Sequence, residues 1–166
     1  MSNSGKRVAW VTGGGSGIGE AGAESLAADG WTVVVSGRRV DALDTVVAKI
    51  AKAGGKAEAI ALDVSRKDDV NKAAEQILKR HGRIDLLVNS AGINVPKRSW
   101  ADMELEGWDR LVEINLNGVL YCMRAVLPRC GRKRTAVSSM SRPGPAVTFR
   151  KCQVPPIPPP SMRCWR

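Results

Sequence analysis

Three glycines spaced G-x-x-x-G-x-G, Gly13, Gly17 and Gly19 in the run Thr12-Gly13-Gly14-Gly15-Ser16-Gly17-Ile18-Gly19, offer the first chemistry in this chain. Glycines at a strand-to-helix turn let the backbone bend tightly and approach an anion, while the helix that follows aims its N-terminal amides and positive dipole end at it. The spacing differs from the G-x-G-x-x-G of the commoner dinucleotide fingerprint. A flexible loop is also rich in glycine, so the turn takes its meaning from the Val-rich run before it and the amphipathic pattern after it. Further polar groups stand at the ends of apolar runs: Asp63 before Val64, Asn89 before Ser90-Ala91-Gly92, and Asn115, a poor helix former among good ones. A strand-end aspartate, a turn and a surface asparagine would look the same. His81, just before Gly82 at a helix end, is expected to cap or meet solvent. None of the four cysteines forms a CxxC pair, so neither a zinc site nor a disulfide framework is expected.

These groups need a scaffold, and from Lys6 to Pro128 short β-branched runs alternate with longer helical patterns, the grammar of βαβ units and a parallel sheet. Strands are expected at Arg7 to Thr12, Thr32 to Ser36, Ala57 to Asp63 and Ile84 to Asn89. Between them Ile18 to Asp29, Val40 to Ala53 and Lys67 to His81 carry apolar residues at helical spacing. Asn94 to Asp102 reads as a loop. Glu106 to Leu127 reads as one long helix, with Trp108, Leu111, Val112, Leu116, Val119, Leu120 and Met123 at helical spacing and Tyr121 in the core. The fold class is α/β, a doubly wound parallel sheet of Rossmann type with the first four strands ordered 3-2-1-4, ending after the fourth.

Four motifs in order over Lys6 to Pro128 resemble those of the short-chain dehydrogenase/reductase family. Thr12 to Gly19 matches its TGxxxGIG at every fixed position. Asp63-Val64 resembles its adenine-contacting pair, Asn89-Ser90-Ala91-Gly92 its NNAG motif with a serine in second place, and Asn115 the asparagine beside its active site. The resemblance implies NAD(P)-dependent oxidoreduction of an alcohol/ketone pair. It places Gly13, Ser16, Gly17, Ile18 and Gly19 at the pyrophosphate, Asp63 and Val64 at the adenine, and Asn89, Ala91 and Gly92 beside the nicotinamide-side ribose. Asn115 would support the active-site water and lysine. At the end of the second strand, in Val35-Ser36-Gly37-Arg38-Arg39, glycine stands where NAD-preferring relatives carry aspartate, and Arg38 offers a charged fork to a ribose 2′-phosphate. NADP is therefore the expected cofactor over NAD. The family also implies a small alcohol or carbonyl substrate and a homo-oligomer.

The resemblance breaks at the reaction centre. The family's chemistry uses a tyrosine, with a lysine four residues on that lowers its pKa. The single tyrosine here is Tyr121, and Ala125 stands four residues later. After Pro128 the composition changes, with seven of the nine prolines, nine basic residues and no acidic one. This stretch, 129–166, reads as a basic, Pro-rich disordered tail behind a cofactor domain at 1–128. Its codons suggest a cause. Proline codons read with the base before them give xCC triplets, which encode Ala, Thr, Ser or Pro. The same shift permits tyrosine at Ile157 and, four codons on, lysine at Ser161. It also permits the family's serine pair between Ser141 and Pro143, which makes the visible Ser138-Ser139 coincidental. A reading-frame shift near Pro128 is the expected account, and little or no turnover is expected from the chain as it stands.

The net charge of +10 raises nucleic acid or an acidic membrane as partners, yet the chain is almost neutral up to Pro128. The tail lacks the aromatic interleaving of a single-strand binder, so a nucleic-acid role is not expected. A non-catalytic dinucleotide-binding module is the stronger alternative. No apolar run is long enough to span a bilayer and the polar start has no secretion-signal pattern, so a cytoplasmic protein is expected.

Overall fold

The computed structural model describes residues 7–96 and 99–127. The expected tail at 129–166 and the frame shift expected near Pro128 lie outside the described residues.

Four parallel strands, β1 (Val8–Thr12), β2 (Thr32–Gly37), β3 (Lys56–Ala61) and β4 (Leu86–Asn89), form one sheet in the order β3-β2-β1-β4, the order expected of the Rossmann class. Val8 to Thr12 register with Thr32 to Ser36 on one side, and Ala9 to Thr12 with Leu86 to Asn89 on the other. Every residue of β1 is buried, which is why Val-Ala-Trp-Val-Thr shows no polar alternation. Its side chains divide between two cores. Trp10 and Val34 pack with Val70, Ala74 and Ile77 of α3 (Lys67–His81), whereas Val11, Val33 and Val35 pack with Ala23 and Ala27 of α1 (Gly17–Ala28) and Leu43, Val46 and Ile50 of α2 (Val40–Lys52). The Trp10 indole N–H donates to Ser36 Oγ at 2.9 Å, satisfying two buried polar groups at once.

The strand limits differ by a residue or two from those expected. The fourth begins at Leu86 because Asp85 turns its carboxylate back to accept the Val8 N–H at 2.8 Å. The third ends at Ala61, so Asp63 lies just past the sheet. Gly82 closes α3 at φ 75°, a left-handed turn suited to glycine. His81 departs from the expected capping or solvent role: half-buried, its Nε2 lies 3.1 Å from Glu58 Oε1 on β3, and Arg80 Nη1 donates to the other oxygen at 3.1 Å.

The single long helix expected over Glu106 to Leu127 is corrected. It is α4 (Leu105–Val112), a π-helical segment (Glu113–Asn117) and α5 (Gly118–Val126) in continuous succession. One extra residue in the turn shifts the apolar face, and such π segments recur at functional positions. The buried face of α5 is made of Gly118, Cys122, Ala125 and Val126, with Tyr121 half-buried against the core. Leu116, Leu120 and Trp108 are exposed instead. Burial pushes the Cys122 thiol up to about 12, so it is a protonated, inert packing group. Among the described residues no helix is long and apolar enough to cross a membrane.

Candidate functional site

All four strands deliver their C-terminal ends to one rim, where an open α/β sheet forms its crevice. At that rim the carbonyl of Ser36, near the end of β2, accepts the amides of Gly13 at 2.7 Å and Gly14 at 3.2 Å. Thr12 joins β1 to β4: its carbonyl accepts the Ser90 amide at 3.2 Å and its hydroxyl oxygen accepts the Ala91 amide at 3.3 Å. The glycine turn is thus pinned from both neighbouring strands before any ligand arrives.

Two glycines are required by contact. A Cβ on Gly13, at φ 68°, would lie 2.6 Å from the Ala91 nitrogen, and one on Gly19 would lie 2.3 Å from the Gly13 carbonyl oxygen. Both neighbours are backbone, which cannot rotate away. The turn therefore lies flat against the β4 loop and the first turn of α1, leaving the first amides of that helix, which have no intrahelical acceptors, directed at the rim. Ser16 caps α1 in extended conformation, and its hydroxyl accepts Arg39 Nη2 at 3.0 Å.

A cleft of about 310 Å³ opens here, within the size range of small-molecule sites. Its walls are the turn (Gly13, Gly15, Ser16, Ile18), the end of β2 with Arg38 and Arg39, the Leu62-Asp63-Val64 step after β3, and Ser90 to Ile93 after β4. Of the residues singled out from sequence, Gly13, Ser16, Ile18, Arg38, Asp63, Val64, Ala91 and Gly92 line it. Gly17, Gly19, Asn89 and Asn115 do not. Gly19 supports Gly13 from beneath, Gly17 takes the positive φ of 59° that starts α1, and Asn89 is buried at the end of β4. Asn115 stands behind the wall. Its Oδ1 accepts the Ile93 amide at 2.8 Å and its Nδ2 donates to the Ile93 carbonyl at 2.9 Å, a two-bond clamp between the π segment and the β4 loop. Its side chain thus fixes a loop, a role the resemblance did not supply.

Arg39 was not expected as a wall residue, nor were Leu43, Leu62, Ile93 and Ile114. Arg39 could have been found from its place one residue before α2, on the side of the turn. Ile114 could not, because the π turn sets its direction.

Partial burial raises the Asp63 carboxyl, but the Ser65 hydroxyl at 2.8 Å and amide at 3.0 Å, with the charges of Arg38 and Arg110, outweigh it. The net shift is downward, so Asp63 is an anion and an acceptor only at neutral pH. Arg38, whose charge contributes to that shift, and Arg39 line the same cleft. Among the described residues there is no group of three or more His, Cys, Asp or Glu side chains able to hold a metal ion.

The pinned glycine turn and the carboxylate of Asp63 lie in one crevice at the C-terminal rim of a parallel α/β sheet, with the Asn115 clamp behind its wall. The family model described as short chain dehydrogenase matches residues 7–141, and the chain belongs to that family. It is 39% identical over 129 residues to the cyclohexanol dehydrogenase of Acinetobacter sp. (strain SE19), covering 77% of this chain and 51% of that protein. It is 42% identical over 121 residues to the 3-oxoacyl-[acyl-carrier-protein] reductase of Synechocystis sp., covering 72% of this chain and 49% of that one. A metagenomic short-chain oxidoreductase solved in complex with NADP superposes with TM-score 0.75 at 37% identity, over 80% of this chain and 61% of that one. The chain spans about half the length of the curated relatives it matches.

Proposed function

We propose that this chain is the NADP-holding part of a short-chain oxidoreductase acting on a small alcohol or carbonyl compound, with residues 1–128 as its cofactor domain. The observation that carries the reading is the turn at Gly13 to Gly19, flattened so that a Cβ at Gly13 or Gly19 would strike backbone, with the amides of α1 behind it. Such a surface admits a pyrophosphate at van der Waals distance and neutralises it.

Asp63, held as an anion, accepts the exocyclic amine of an adenine, with Val64 and Ile114 as apolar walls. Gly37 leaves the ribose edge without a carboxylate, and Arg38 and Arg39 on the same wall offer two guanidinium groups to a 2′-phosphate. Ala91, Gly92 and Ile93, steadied by Asn115, form the wall toward the nicotinamide. When bound, the cofactor supplies hydride exchange with the substrate carbon. The crystallised relative holding NADP and the alcohol dehydrogenase of Thermococcus sibiricus complexed with 5-hydroxy-NADP, at 32% identity and TM-score 0.74, support the choice of cofactor.

The acid/base pair has no candidate here, since Tyr121 is half-buried against the core and Ala125 follows it by one turn. Binding without turnover is therefore expected of this chain, as from a non-catalytic dinucleotide module, and the frame shift near Pro128 is the favoured cause. Nicotinamide absorbance distinguishes the outcomes. With NADP and secondary alcohols, or NADPH and ketones, the chain as it stands should show no change, and a version with the frame restored after Pro128 should show one. Turnover by the chain as it stands would sink the frame-shift account.

A further inference from the structure

Gly118 opens α5 and is buried against the loop after β3. A Cβ there would lie 2.9 Å from Val64 Cγ2, 3.2 Å from Val64 Cβ and 3.3 Å from the Val64 carbonyl oxygen. The first distance is shorter than carbon contacts in folded proteins allow, so helix or loop would have to give. Neither is free to do so. Val64 is 7% exposed and packs into the core with Ile60, Leu62 and Ile114, while its neighbour Asp63 is bonded twice to Ser65. On the helix side, Ile114 lines the same cleft one turn earlier and Asn115 is bonded twice to Ile93. The separation between the helix and the β3 loop therefore sets the width of the cleft beside Asp63, and it depends on there being no side chain at 118.

Building on the reading of the cleft as a dinucleotide site, we propose that Gly118 is a positioning residue for the cofactor. Its direct contact with Val64 holds Val64 and Asp63 at the spacing an adenine ring fills. Gly118 touches no cofactor atom in this account; it acts through Val64.

The test uses four forms of the full chain: wild type, Gly118→Ala, Val64→Ala and the double variant. Each is titrated with NADPH, with NADH and with adenosine 2′,5′-bisphosphate, which carries the adenine half alone. Gly118→Ala should weaken NADPH and the bisphosphate alike, by about tenfold, as overpacking against a fixed neighbour does. The preference for NADPH over NADH should stay unchanged, because the ribose edge is untouched. Adding Val64→Ala removes the methyl that the new Cβ would strike, so the double variant should bind as Val64→Ala alone does. Wild-type affinity in Gly118→Ala, or a double variant as weak as the two single losses multiplied, would overturn the assignment. If Gly118→Ala does not fold, comparison of the double variant with Val64→Ala decides it by the same criterion. Wild type that binds none of the ligands overturns the cofactor reading and this inference with it, a result distinct from any pattern among the variants.

Discussion

Gly19→Ala is expected to remove NADPH binding, by on the order of a hundredfold or more, and to lower stability by about 3 kcal/mol. The added Cβ would lie 2.3 Å from the Gly13 carbonyl oxygen and 2.9 Å from its carbon. Relief requires the turn to lift from α1. Gly13 is held in place, because its amide is bonded to the Ser36 carbonyl and there is no room for even a Cβ between it and the Ala91 backbone. Site and strand junction therefore fail together, and thermal melts should show a drop of roughly 10 °C alongside the lost binding. For the melting temperature, Gly17→Ala is the comparison. Its position is open, with nothing within 4 Å of a Cβ, so its cost is limited to the strain of φ 59° in a non-glycine residue. A Gly19→Ala variant that binds and melts like wild type would show that the turn is looser than this contact implies.

The second large effect concerns cofactor choice. Gly37→Asp should exchange a preference for NADPH for one favouring NADH, a change of about a hundredfold in the ratio of their dissociation constants. The site can accept the side chain, since a Cβ at Gly37 meets only Leu43 Cδ2 at 3.6 Å, an ordinary contact, and Gly37 does not adopt positive φ. A carboxylate there would accept hydrogen bonds from the ribose hydroxyls of NADH. Against a 2′-phosphate at about 4 Å it is repulsive by about 4 kcal/mol in a medium of effective dielectric near 20, reduced by salt and by the adjacent guanidinium groups of Arg38 and Arg39. Paired titrations with NADPH and NADH measure the ratio directly. An unchanged ratio would place the ribose elsewhere than beside Gly37.

Most of the sheet and three of its helices were legible because their signals are local. The Val-rich runs at Val8 to Thr12 and Val33 to Ser36 are buried on both faces, and Gly82 stands where α3 ends. The strand order followed from the doubly wound Rossmann class that the alternating pattern and the glycine turn implied. The region after Asp102 was read less well, since its register depends on a tertiary contact. Asn115 reaches back to Ile93, and the π segment that lets it do so rotates Leu116, Leu120 and Trp108 toward solvent while turning Ile114 to the cleft. No periodicity in Glu106 to Leu127 reports that rotation. The cleft was partly legible for the same reason. Residues fixed by a motif at a strand end, such as Gly13 and Asp63, were found, whereas Ile114 and Leu43 reach the wall from helices whose facing is decided by packing.

The central claim, that the turn from Gly13 to Gly19 and the walls at Arg38 and Asp63 hold NADP(H), is tested most directly by titrating the chain with NADPH and following nicotinamide fluorescence. The expected result is a saturable enhancement with one site per chain, displaced by NADP and at least about tenfold weaker for NADH, as loss of the arginine–phosphate contacts implies. No saturable change with either nucleotide would contradict it.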